Sequence, residues 1–176
     1  MCPDFTVIPA DIDEALPALV RPGDIVALAL RKARAVAARP DVTGVVLGAD
    51  TVVVVDGVPF GKPVDAADAR RMLLRLRGRM HEVVTGVAAV GGGREATRVV
   101  VSQVLMRAYD DGTLEAYLAG GEPLDKAGAY ALQGAGQNLV AAVIGSYTNV
   151  VGLPLVATRE LLAEFGVATS GPGPRA

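Results

Sequence analysis

Histidine and cysteine are almost missing from this sequence, which holds one of each, His81 and Cys2, in 176 residues. A lone cysteine excludes an internal disulfide framework and any multi-cysteine metal site. A lone histidine excludes histidine-cluster metal sites and paired-histidine catalysis within one chain. It sits in Met80-His81-Glu82-Val83-Val84, which reads as strand, and a structural or surface role is its ordinary explanation. Tryptophan is absent and aromatics make up only 4% of the chain, whereas 51% of it is hydrophobic. The core must therefore be largely Val, Leu and Ala, which suits an α/β protein with buried strands. No basic block rises above the background, and the formal charge of -2 gives no reason to expect a nucleic-acid partner. No signal peptide is recognisable and no uncharged apolar run is long enough to span a bilayer. These absences predict a soluble, cytoplasmic protein with no membrane partner. Any catalysis must use carboxylates, lysines, hydroxyls or a hard metal held through oxygen.

Lysine is also scarce: Lys32, Lys62 and Lys126 are three of 17 basic residues, and the rest are Arg. An ammonium is a compact point charge suited to phosphate, whereas Arg favours planar, bidentate contact. The three lysines are candidates for specific placement, with chance as the alternative for so small a count.

What the sequence does contain centres on Gly44 to Pro63. An apolar run, Val45 to Ala49, ends on Asp50-Thr51, and a second, Val52 to Val55, follows. A turn at Asp56-Gly57 leads to Val58-Pro59-Phe60 and Gly61-Lys62-Pro63. An ionised carboxylate in such apolar surroundings is costly to bury without compensation, and Lys62 is one possible partner. Strand, acid, hairpin and lysine together read as the floor and rim of a polar cleft. A strand-end Asp acting as a cap or in a salt bridge is the alternative.

Elsewhere, Phe5 to Pro9 reads as a short strand. Asp11, Asp13 and Glu14 follow, as a cation site or a solvated loop. A helix is predicted from Pro22-Gly23-Asp24 to about Arg39, with Ile25, Leu28, Ala29, Val36 and Ala37 on one stripe. Lys32 lies on that stripe, either snorkelling outward or entering a cleft. A second helix follows Asp65 as N-cap and stops at Gly78. Met80 to Val90 and Arg94 to Arg107 form a hairpin across Gly91-Gly92-Gly93. A short helix follows Asp110-Asp111-Gly112. Glu122 to Gly136 carries an adjacent acid–base pair, Asp125-Lys126, and Gln133 among glycines, where an amide can read a base edge. Leu139 to Ile144 reads as strand, Gly145 to Asn149 as a polar turn, and Leu153-Pro154 opens a last helix to about Phe165. A single domain spans residues 1–168 and residues 169–176 form a flexible tail.

Several of these stretches together resemble one family. They are Val7-Ile8-Pro9-Ala10-Asp11-Ile12-Asp13-Glu14, Gly48-Ala49-Asp50-Thr51, Gly61-Lys62-Pro63 and His81-Glu82-Val83. Pro123 to Tyr130, Gln133-Gly134 and Val150 to Leu155 complete the set. In order and spacing the chain resembles the Maf family of nucleoside triphosphate pyrophosphatases. The resemblance implies an α/β fold with a mixed, twisted central sheet, flanking helices and two lobes around a cleft. It implies hydrolysis of a nucleoside triphosphate to the monophosphate and pyrophosphate, with a divalent metal (Mg or Mn), in a homodimer. Residue by residue, Asp50 matches the catalytic proton acceptor, and Glu14, Lys32 and Lys62 match other polar cleft positions. Asp50 and Glu14 would be the metal ligands, and Thr51 and Gln133 match positions tied to base choice. Gln133-Gly134 resembles the branch preferring dTTP and UTP, as opposed to the branch acting on 7-methyl-GTP.

Two departures accompany the resemblance. Family members begin with a strand and a Ser-x-Ser-Pro-Arg-Arg phosphate loop, whereas this sequence opens on Met1-Cys2-Pro3-Asp4 at the family's second strand. Arg31 stands where Glu commonly precedes the matching lysine. A non-catalytic nucleotide-binding or regulatory protein is therefore the alternative expectation to an active pyrophosphatase.

Overall fold

The computed structural model describes residues 5–169; Cys2 and the tail from residue 170 onward lie outside the described residues. In chain order the elements are α1 (Pro22–Ala37), β1 (Val46–Val55), β2 (Val58–Phe60), α2 (Ala66–Leu76), β3 (Met80–Gly91) and β4 (Arg94–Met106). They continue as α3 (Asp111–Ala119), three single-turn 3-10 helices between Glu122 and Leu139, β5 (Val140–Ile144), α4 (Tyr147–Val151) and α5 (Leu155–Glu164). The α/β architecture of a central sheet flanked by helices is what the sequence implies. Strand order is β2-β1-β3-β4-β5, and every pairing among the described residues is antiparallel, not mixed.

Each start and stop has a local cause. Pro22 occupies the first turn of α1, and the Arg21 backbone N–H donates to the Asp24 carboxylate at 2.7 Å, satisfying a donor that a helix N-terminus leaves open. Asp65 caps α2 by accepting from the Asp68 backbone N–H at 2.7 Å. Asp110 does the same for α3 at Thr113. Gly78, at φ 66, supplies the left-handed turn after α2.

Along β1, side chains alternate between the two faces of the sheet. Even-numbered positions face α1: Val52 and Val54 pack with Ile25, and Ala29 and Ala33 pack against Ala88 of β3. Odd-numbered positions face the opposite layer. There Val53 and Val55 join the main core with α2 and α3, and Ala49 packs in the cluster centred on Leu161 of α5. The helix lies unusually close. A Cβ at Gly48 would stand 2.5 Å from the Ala29 carbonyl oxygen, and one at Gly86 would stand 2.7 Å from the Val26 backbone. Only glycine permits that approach.

Three local expectations differ from the structure. Phe5 to Pro9 is not a strand: Phe5 and Val7 are largely exposed, and Asp11 at φ 50 turns the backbone out of extended geometry. The Pro9 carbonyl is taken by the Arg39 guanidinium instead of by a strand ladder. Val45 to Val55 is not broken at Asp50, because β1 runs through it as one ten-residue strand. The polar stretch at Gly145 to Asn149 closes into α4, since the Ser146 hydroxyl accepts from the Asn149 backbone N–H at 3.2 Å and caps a short helix.

Candidate active site

Asp50 stands midway along β1, on the face that meets α1. Lys32 projects from the same helix, one turn from the buried Leu28 and Val36. Its Nζ donates to Asp50 Oδ1 at 2.6 Å and lies 2.9 Å from Glu14 Oε2. Of the two alternatives for a lysine on an apolar stripe, the structure shows the cleft. Lys32 and Asp50 side chains are only 17% and 14% exposed, whereas Glu14 is 58% exposed and forms the outer wall.

Glu14 reaches the pair because the segment before α1 is tied down. The Arg31 guanidinium donates to the Asp13 carbonyl, and Asp13 Oδ1 accepts from the Ala15 backbone N–H at 2.9 Å. Arg39 pairs with Asp11 at 3.6 Å further along. Arg31 thus anchors the residue beside Glu14.

Burial and charge set the chemistry of this triplet. Desolvation pushes the Asp50 carboxyl above its ordinary range; the Lys32 ammonium opposes that, and the Glu14 charge adds to it. Burial also works against the Lys32 charge, but the hydrogen bonds to Asp50 and Glu14 outweigh it and hold the ammonium above its ordinary value. The two directions are compatible. The ammonium stays charged, and the carboxylate beside it is a better proton acceptor than one in water.

The other expected site residues do not join this triplet. Lys62 forms no ion pair with Asp50, which is paired to Lys32 instead. It is exposed and acts on Asp125, lowering that carboxyl's pKa less than the adjacent Lys126, whose Nζ donates to Asp125 at 2.6 Å. This second charged group lies over the Val53 end of β1, where the Gly128 N–H donates to the Gly61 carbonyl at 3.0 Å. Thr51, next to Asp50, points to the opposite face. Its hydroxyl donates to the Gly152 carbonyl at 3.1 Å and lies 2.8 Å from the Thr85 hydroxyl. Gln133 is exposed on the loop before Gly134.

β2 covers only Val53 to Val55 of β1, so the outer edge of Val46 to Val52 has no strand partner among the described residues. An open groove of about 1820 Å³ runs along this edge, with Glu14 and Lys32 on one side and Thr148 and Leu153 on the other.

The pattern of residue types gave no signal for the polar network beneath Thr51. Fully buried Asn149 donates to the Val83 carbonyl at 2.9 Å and to Ser102 Oγ at 3.0 Å, and its own carbonyl accepts from Thr85. His81 lies within β3, as its sequence context indicated. It is buried, 2.7 Å from the Tyr130 hydroxyl, and burial pushes its pKa down to about 4.

No group of three His, Cys, Asp or Glu side chains converges as a metal cage among the described residues. Asp50 and Glu14, however, already converge on one cationic atom through oxygen donors. That donor set fits a hard divalent ion completed by phosphate oxygens and water, and does not fit a site closed by protein alone. No helix among the described residues is long and apolar enough to cross a membrane.

Comparison with known proteins follows the same direction. The profile described as Maf-like protein matches residues 1–165. The chain is 52% identical over 170 residues to the dTTP/UTP pyrophosphatase of Moorella thermoacetica, covering 95% of this chain and 87% of that protein. It is 46% identical over 172 residues to the dTTP/UTP pyrophosphatase of Symbiobacterium thermophilum, covering 96% and 88%. It is also 52% identical over 121 residues to the nucleoside triphosphate pyrophosphatase of Xylella fastidiosa, covering 68% and 64%.

Proposed function

The chain belongs to the Maf family, and on that footing we propose that it hydrolyses dTTP and UTP at the Lys32–Asp50–Glu14 triplet. The activity is that of its relatives, a hydrolase acting on the phosphoric anhydride of a nucleoside triphosphate. The observation that carries the assignment of the site is the single ammonium held between two carboxylates at 2.6 and 2.9 Å.

Water attacks the α-phosphorus, the bond to the bridging oxygen breaks, and pyrophosphate leaves. The proton released by the attacking water passes to Asp50, whose burial has raised its basicity. An ammonium has three donors, and Lys32 spends two on Asp50 and Glu14. Its third can meet a phosphate oxygen and offset the charge that develops there. Mg²⁺ or Mn²⁺ is the proposed cofactor: Asp50 and Glu14 would hold it, and when bound it supplies neutralising charge to the phosphate oxygens.

The orientation of the substrate follows from the two faces of β1. With the triphosphate beside Asp50 and Lys32, the nucleoside extends past β1 toward its opposite face. Its base then reaches Thr51 and Gln133 on the far side. Lys62 and Lys126, beyond the Val53 end, extend the positive charge toward the departing pyrophosphate or the sugar. A homodimer, which rests on the family resemblance, and a cytoplasmic location, where such nucleotides occur, complete the proposal.

The test is pyrophosphate release from dTTP and UTP by the wild type and by Asp50→Asn. The expected outcome is turnover by the wild type and a loss of about a hundredfold or more in the variant, with nucleotide binding retained. Equal release by both proteins removes Asp50 from the reaction. Binding without release in the wild type favours the non-catalytic alternative, and preference for 7-methyl-GTP overturns the pyrimidine assignment.

A further inference from the structure

The loop that presents Gln133 is held by a clamp that the reaction itself does not use. Glu122, at the start of the first 3-10 turn, turns its carboxylate back onto this loop. Its Oε2 accepts from the Ala135 N–H at 2.9 Å, and its Oε1 accepts from the Gly136 N–H at 3.1 Å. The Tyr117 hydroxyl of α3 donates to Oε1 at 3.4 Å and itself accepts from the Ala131 N–H. Residues on both sides of Gln133 are thereby fixed to two side chains.

The backbone between them leaves no slack. Gly134 adopts φ 99 and ψ -155, a region essentially closed to other residues, and a Cβ there would stand 2.6 Å from Glu122 Oε2. A Cβ at Gly136 would stand 2.5 Å from the Ala131 carbonyl oxygen. From the other side, the Tyr147 hydroxyl of α4 donates to the Leu132 carbonyl at 3.4 Å. The same helix ends at Gly152, whose carbonyl holds Thr51. The Gln133 side chain is exposed and makes no hydrogen bond among the described residues, so its amide is free to meet a ligand.

We propose that Glu122 is a positioning residue for base selection: its carboxylate, with Tyr117, presets the loop so that the Gln133 amide meets the pyrimidine edge. This rests on the assignment of Gln133 as a base reader. Presetting matters because an amide that must be ordered on binding loses side-chain and loop entropy at that moment. Glutamine at position 122 has one acceptor oxygen where two N–H groups need acceptors, and its own amide hydrogens face the second N–H.

The experiment measures kcat and KM for dTTP and for dATP in the wild type, Glu122→Gln, Gln133→Ala and the double variant, with a melting curve for each. In Glu122→Gln the preference for dTTP over dATP is expected to fall about tenfold, through KM for dTTP and not through kcat. In the Gln133→Ala background the Glu122 substitution is expected to change that preference no further, since nothing remains to be positioned. Tyr117→Phe is the second variant, used if Glu122→Gln does not fold, with the same expected loss of preference. An equal fall in kcat for both nucleotides, or full additivity in the double variant, overturns the proposal. Loss of preference in Gln133→Ala but not in Glu122→Gln overturns the clamp alone. Unaltered preference in Gln133→Ala overturns the base-reader assignment and the clamp with it.

Discussion

Asp50 has to remain ionised to accept a proton, so activity should fall as pH drops through its pKa. That pKa lies above the ordinary aspartate value of 3.8 because the carboxyl is buried. Its two charged neighbours act in opposite directions, which makes the assignment testable. Lys32→Gln removes a group that lowers the pKa, so the acid limb of the kcat/KM profile should move to higher pH. Glu14→Gln removes a negative charge that raises it, so the limb should move to lower pH. Acid limbs that stay fixed in both variants would exclude Asp50 as the titrating base. The sequence made much of this visible. Asp50 announced itself as a charge in an apolar run, and Lys32 as a cation on a buried stripe. Their pairing was not legible, because Lys62 is nearer in sequence while α1 packs across the strand and delivers Lys32 first. The separation of Asp50 from Thr51 was latent in strand alternation once β1 was known to run unbroken through both.

At the scale of elements, the site depends on how closely α1 lies on β1 and β3. Gly48 is two residues from Asp50 on the same face, and its missing side chain is what admits the Ala29 carbonyl. Gly48→Ala should push the helix outward and cost about 1–3 kcal/mol of stability, measured by urea unfolding. It should also lower turnover at a temperature where the variant is still folded, since Lys32 rides on the displaced helix. Normal turnover in a destabilised protein would separate packing from positioning. Helices α1, α2, α3 and α5 and the β3–β4 hairpin were legible from caps, periodicity and the three glycines. Phe5 to Pro9 misled because its composition suits a strand, whereas Arg39 and the turn at Asp11 hold it as an irregular segment. Ser146 turned a polar stretch into a capped helix, a distinction that depends on one hydroxyl finding one N–H.

For the whole molecule, the candidate site draws on both faces of a single strand. β1 carries its acid on one face and a base-choice candidate on the other. Composition could suggest a Val-rich α/β core, and the scattered motifs could suggest the family. Neither could show that the motifs divide between two faces, because that division follows from β1 running unbroken through Asp50 and Thr51 and from where α1 and α4 pack. The central claim is that water attacks the α-phosphorus beside Asp50 and expels pyrophosphate intact. Turnover of dTTP in water enriched in the heavy oxygen isotope, followed by mass spectrometry of both products, tests it most directly. The account requires the label in dTMP and none in pyrophosphate. Label in pyrophosphate, or release of dTDP and phosphate, would contradict it.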